Sequence, residues 1–155
     1  MTINGLDFKV DVIHDQDMGA PWTEHDGHGI VSEWTTRDKR PGERILASDR
    51  HSRRYYDFAE TVKIAKHDGW GPGKPHEAAE DDFQRMKAWC DYEWYWVGVT
   101  VDLLDSDGRK IPGYSNSLWG IESDCEKYLE EVALELAEGI AERVGDSNKV
   151  CLSVR

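Results

Sequence analysis

Between Glu93 and Leu104 the chain alternates strictly. Tyr95, Val97, Val99, Val101 and Leu103 fall on one side of an extended segment, and Trp94, Trp96 and Thr100 on the other. Period two with β-branched residues specifies a strand, and apolar side chains on both sides predict one covered on both faces. Nearer the C-terminus, Leu129, Val132, Ala133, Leu136, Ala137, Ile140 and Val144 recur at the helical period. Ser123 and Glu126 match a capping box, and Gly145 supplies a stop. A strand that must be covered and a helix with one apolar stripe satisfy each other, which predicts an α+β layer fold.

The remaining segments extend this pattern. Leu6, Phe8, Val10 and Val12 alternate with Asp7, Lys9 and Asp11, which predicts a half-buried strand. Residues 14–29, rich in Asp, His, Gly and Pro, read as a long loop. Ile30–Thr35 and Arg44–Ala47 read as a hairpin whose basic tip is Asp38-Lys39-Arg40-Pro41-Gly42. A helix is predicted over 53–67, with Tyr55, Phe58, Val62 and Ala65 on one face and Gly69 as its stop. Pro75 then opens a second helix that turns Ala79, Phe83, Met86 and Cys90 inward. Asp105-Ser106-Asp107-Gly108 is a turn, returning the chain into a strand over Tyr114–Ile121 after a break at Pro112-Gly113. Residues 149–154 read as a short strand or a tail. The order is β-β-β-α-α-β-β-α: an antiparallel sheet of about five strands with three helices mainly on one face, in one domain over 1–155.

Charge limits the function classes. Nineteen Lys and Arg face 31 Asp and Glu, a formal net charge of −12. That disfavours a general nucleic-acid binder, which needs a basic face, and an anchor on an anionic membrane. No apolar run approaches the ~20 residues of a membrane span. Met1–Asp11 has neither a basic stretch nor an apolar run, so no secretory signal is expected. Cys90, Cys125 and Cys151 are odd in number and form no zinc-type pair, which fits reduced thiols in a cytoplasmic protein.

The charge is unevenly spread. Residues 1–33 carry a net −6, residues 34–74 a net +4, and residues 75–121 and 122–155 a net −5 each. On the last predicted helix Glu131, Glu135, Glu138 and Glu142 form one stripe spanning about 16 Å. Surface helices ordinarily intersperse Lys at i,i+4, whereas here only Lys127 and Arg143 are close. The stripe can imitate a phosphate backbone; the plainer reading is a solvated, solubilising face. The basic island comprises Arg37, Lys39, Arg40, Arg44, Arg50, Arg53 and Arg54, next to Tyr55 and Tyr56. Arg beside aromatics can hold a phosphate or a single strand, and Arg53 and Arg54 fall at the start of the predicted helix. The plainer reading is pairing with neighbouring acids.

Metal-type ligands concentrate in the first loop: His14, Asp15, Asp17, Glu24, His25, Asp26 and His28. His14, Asp17, His25 and His28 are the candidate set for a Zn-, Mn- or Fe-type ion that activates water. Their spacing matches none of HExxH, the EF-hand loop or the zinc fingers, and a solvated polar loop is the plainer reading. Phosphate-loop, dinucleotide and nucleophile-elbow patterns are absent. Trp22 and Trp70 lie in Pro/Gly-rich loops, where Trp can anchor an interface or lid the core.

Two stretches carry a resemblance. One is Asp26-Gly-His-Gly29, Val31-Ser-Glu-Trp-Thr35, Lys39-Arg-Pro-Gly-Glu43, Arg54-Tyr-Tyr-Asp-Phe58 and Asp68-Gly-Trp70; the other is Ser117-Leu-Trp-Gly-Ile-Glu-Ser-Asp124 followed by Tyr128-Leu-Glu-Glu131. Together they resemble a family of uncharacterised small proteins carried by bacteriophages and other mobile elements of bacteria. The resemblance implies a bacterial cytoplasm and an accessory role, and carries over no catalytic residue. The favoured expectation is a non-enzymatic protein that binds a host protein with a basic surface through Glu131, Glu135, Glu138 and Glu142, as a nucleic-acid mimic inhibiting a defence or nucleic-acid enzyme. No cofactor is then needed. The alternatives are a hydrolase with a divalent metal on the 14–28 loop, and a nucleic-acid-binding accessory protein using the basic 37–54 region.

Overall fold

In a computed structural model the described residues run from 1 to 152, with side chains described through Asp146. In chain order the elements are β1 (Thr2–Ile3), β2 (Leu6–His14), α1 (Pro21–Glu24), β3 (Glu43–Ser48), β4 (Arg53–Asp57), α2 (Phe58–Asp68), α3 (Pro75–Cys90), β5 (Trp96–Leu104), β6 (Lys110–Glu122) and α4 (Glu126–Leu152). The chain forms two compact units. One joins residues 1–17 to the segment from Tyr95 onward; the other is Met18–Trp94.

The first unit is a four-stranded antiparallel sheet, β1-β2-β5-β6, with α4. Asn4 and Gly5 both have positive φ, the geometry of a two-residue hairpin turn, so Met1–Phe8 closes tightly. Phe8 pairs with Leu103 and Val10 with Val101, which puts the apolar residues of β2 and β5 on one face. Phe8, Val97, Val99, Val101, Leu103 and Ile121 are buried there with Val132, Ala133, Ala137 and Ile140 of α4. At about 1.5–3 kcal/mol per large apolar side chain, this layer is the unit's main source of stability. On the opposite face the register of β5 and β6 shifts between Val97 and Val99, and the Trp119 indole lies over Gly98.

The second unit packs the β3–β4 hairpin with α2 and α3 around Leu46, Tyr55, Tyr56, Phe58, Thr61, Ala65, Ala79, Phe83, Met86 and Trp94. The Asp57 side chain caps α2 by accepting the Glu60 N–H at 3.0 Å, and Gly69 ends it in the left-handed conformation. Pro75 occupies the first turn of α3.

The α+β class and the antiparallel pairing follow the sequence pattern, but several elements differ. The strands divide into sheets of four and two rather than forming one sheet of about five. Among the described residues there are four helices, the extra one a single turn, α1, inside the 14–29 loop. Ile30–Thr35 is not a strand: only the isolated bridges Val31–Tyr56 and Thr35–Arg53 form, and the hairpin partner of β3 is β4. The helix predicted from Arg53 starts at Phe58, because residues 53–57 are spent in that hairpin. β6 runs unbroken through Pro112-Gly113. α4 begins at Glu126, and Ser123 Oγ accepts the Tyr95 N–H at 3.0 Å. Gly145 does not stop α4, which continues to Leu152. The reading of 149–154 is therefore replaced by helix as far as 152; residues 153 and 154 lie outside the described residues. Cys90 and Cys125 are half-buried free thiols. The Cys151 side chain lies outside the described residues.

Candidate functional site

α4 presents opposite faces of opposite character. Val132, Ala133, Ala137 and Ile140 are fixed in the core, so Glu131, Glu135, Glu138 and Glu142 all point to solvent. Lys127 reaches Glu131 at 3.5 Å. Glu135, Glu138 and Glu142 have no ion pair among the described residues. Exposed apolar side chains flank these carboxylates on α4, Tyr128 at 50% and Leu134 at 45% exposure. The expected stripe is thus fully solvent-facing, with one of its four carboxylates partly compensated.

The basic island breaks up. Arg37 grips Glu43 with both terminal nitrogens, at 2.6 and 2.8 Å, and the Arg40 backbone N–H donates to the same carboxylate at 2.7 Å. The Arg37 hydrogen bonds hold the Glu43 carboxyl down, from 4.5 to about 2, against the opposing effect of its burial. Lys39 Nζ donates to the Glu43 carbonyl. Arg44 binds Glu80 at 2.6 Å and stacks on Phe58, its guanidinium carbon 3.4 Å from the ring centre. Arg37 and Arg44 are therefore structural cations. Arg53 and Arg54 lie in β4, so no helix start stands behind them.

Arg54 has a different setting. Its guanidinium carbon is 5.0 Å from the ring centre of Trp22 and 5.1 Å from that of Trp34. Trp89 meets Trp22 edge-on at 5.3 Å. Arg54, Trp34, Trp89 and Tyr92 line a cleft of about 390 Å³ together with Ala47, Ser48, Asp49, Cys90 and Asp91. Asp49 is occupied by the N–H groups of His51 and Ser52 and the Ser52 hydroxyl, which hold its carboxyl below the usual range. Asp91 pairs with Lys87 at 2.8 Å. Burial pushes the Cys90 thiol up, against the opposing pull of Arg54. The fold thus joins two residues singled out separately in the sequence, Trp22 and Arg54. It adds Trp34, Trp89 and Tyr92, which alternation and loop chemistry could not have selected. Trp70 is half-buried and lines a separate recess with Ala65, Gly73 and Pro75.

The metal-type residues do not gather into one group. His28 Nδ1 is 2.7 Å from Asp82 Oδ1. Asp82 also accepts the Gly29 N–H at 2.8 Å and the Tyr56 hydroxyl at 2.6 Å. Burial raises the Asp82 carboxyl, and the hydrogen bonds from His28, Tyr56 and Gly29 more than offset it, leaving it lowered. His14 lies in β2, where its ring meets Tyr95 edge-on. The Asp17 N–H donates to Asp15. His25 caps the end of α1. Among the described residues, the metal-type ligand atoms that cluster belong instead to Glu122, Asp124 and Cys125, a group of two carboxylates and a thiol that fits hydrogen bonding as well as a metal.

No protein-family model, no curated protein and no solved structure matches this chain. No helix among the described residues is long and apolar enough to cross a membrane.

Proposed function

We propose that the protein is a non-enzymatic binding protein whose α4 face docks on a basic surface of a host protein and competes there with nucleic acid. One observation carries this reading. Glu131, Glu135, Glu138 and Glu142 are all solvent-facing on a helix whose other side is locked in a core, and three of the four have no ion pair among the described residues. The backbone of such a row is pre-ordered, so on this side a partner's Arg and Lys side chains need fix only the Glu rotamers. The exposed Tyr128 and Leu134 on the same helix supply apolar contact beside the acidic row. The basic 37–54 region is a weaker nucleic-acid site, because Arg37 and Arg44 are committed to Glu43 and Glu80.

The test uses the immobilised protein and a variant with all four residues changed to Gln, each exposed to a bacterial lysate. The reading predicts that the parent retains nucleic-acid-binding proteins, that duplex DNA displaces them, and that the Gln variant retains none. Equal retention by both proteins, or retention that duplex DNA leaves untouched, overturns it.

A further inference from the structure

The Arg54 cleft differs from the paired arginines of its own unit. Arg54 shares the β3–β4 hairpin with Arg44, yet Arg44 has a carboxylate and Arg54 has none among the described residues. The Arg54 Nε is shielded from solvent and has no hydrogen-bond acceptor. Aromatic faces on Trp22 and Trp34 take the place of water around the cation. Ring faces compensate a cation's charge but accept none of its directional N–H bonds. A guanidinium partly shielded from water in this way holds an oxyanion more strongly than a fully hydrated one, and does so in a planar, two-pronged geometry.

The cleft also fits a ring. Its volume, about 390 Å³, lies within the range of small-molecule sites. Trp34 is 43% exposed and Tyr92 is 88% exposed, so two of the three aromatic groups at its lining are open to stacking. Tyr92 is held at φ 59°, a left-handed conformation costly for a non-glycine residue, directly after α3. The two carboxylates of the lining, Asp49 and Asp91, are engaged by Ser52 and Lys87, and neither forms an ion pair with Arg54.

We propose that this cleft binds a small oxyanion carrying a planar ring, with the anionic group on Arg54 and the ring stacked on Trp34 and Tyr92. A phosphate or a carboxylate satisfies the anionic half, and a nucleobase or a simple aryl group the planar half.

Calorimetric titration of the intact protein separates these parts. The probes are adenosine monophosphate, adenosine, inorganic phosphate, phenyl phosphate and benzoate. The ringed phosphate should bind at least about tenfold more tightly than adenosine or inorganic phosphate alone. Phenyl phosphate and benzoate show whether the base or the phosphate is dispensable. Arg54→Met should lose at least about tenfold in affinity. If that variant misfolds, Tyr92→Ala, at an exposed position, should lose about three- to tenfold with the fold intact by circular dichroism. The proposal is overturned if adenosine binds as well as its monophosphate, if folded Arg54→Met and Tyr92→Ala keep full affinity, or if none of the five probes binds at millimolar concentration.

Discussion

The hydroxyl of Tyr56, a side chain with no solvent exposure, donates to Asp82 Oδ2 at 2.6 Å. This ties the hairpin to α3. Asp82 holds the 28–29 segment through the same carboxylate, and a Cβ at Gly29 would collide with the Tyr56 hydroxyl and Thr61 Oγ1. Removing the hydroxyl with Tyr56→Phe should cost about 1–2 kcal/mol in chemical denaturation. Asp82→Ala strands the hydroxyl and the Gly29 N–H together and should cost about 3 kcal/mol. The double variant should cost less than the two added, with a coupling of about 1 kcal/mol.

Acid should weaken the second unit in a defined window. Both Glu43 and Asp82 have carboxyl groups lowered in the folded state, Glu43 from 4.5 to about 2. A lowered folded value means stability is fully present above the unfolded value and is lost as pH falls through the folded one. Denaturation midpoints should therefore hold above pH 4.5 and fall steadily towards about 2, following Glu43. Glu43→Gln should cost about 2–3 kcal/mol at neutral pH by stranding Arg37, and should flatten that acid limb.

Gly98 should not tolerate a side chain. A Cβ there meets the Trp119 indole, not the free end of a flexible chain. Gly98→Ala should destabilise the first unit by about 1–3 kcal/mol, read from the thermal midpoint. Gly98→Ala with Trp119→Ala should recover part of that loss.

Neutralising the acidic row should not harm the fold. Like charges at i,i+4 repel by a few tenths of a kcal/mol each. Changing Glu135, Glu138 and Glu142 together to Gln should leave stability unchanged or raise it by about 0.5–1 kcal/mol, measured by urea denaturation. A loss above about 2 kcal/mol would mean that these carboxylates have structural partners.

The parts of the fold that were legible in the sequence are those where one local period decides. β5 and α4 each carry an uninterrupted pattern, and Pro75 and Gly69 mark helix ends through backbone constraints of their own. Residues 53–57 carry a false helical signal because Tyr55 falls in helical phase with Phe58, Val62 and Ala65, although Tyr55 belongs to a strand and the chain changes period at Asp57. The stripe at Glu131–Glu142 was readable because it lies within one helix. The Arg54 cleft was not, since Trp22, Trp34, Arg54 and Trp89 come from four separate segments that only the tertiary fold joins. Asp82 was hidden in an acidic run at the start of α3, where dipole and solvation already account for a carboxylate.

The salt at which captured host proteins leave the immobilised protein tests the account most directly. Recognition through Glu131, Glu135, Glu138 and Glu142 predicts retention at low ionic strength, release as salt rises past about 0.1–0.2 M, and no retention by the four-Gln variant at any salt. The same proteins eluting at the same salt from both would contradict it.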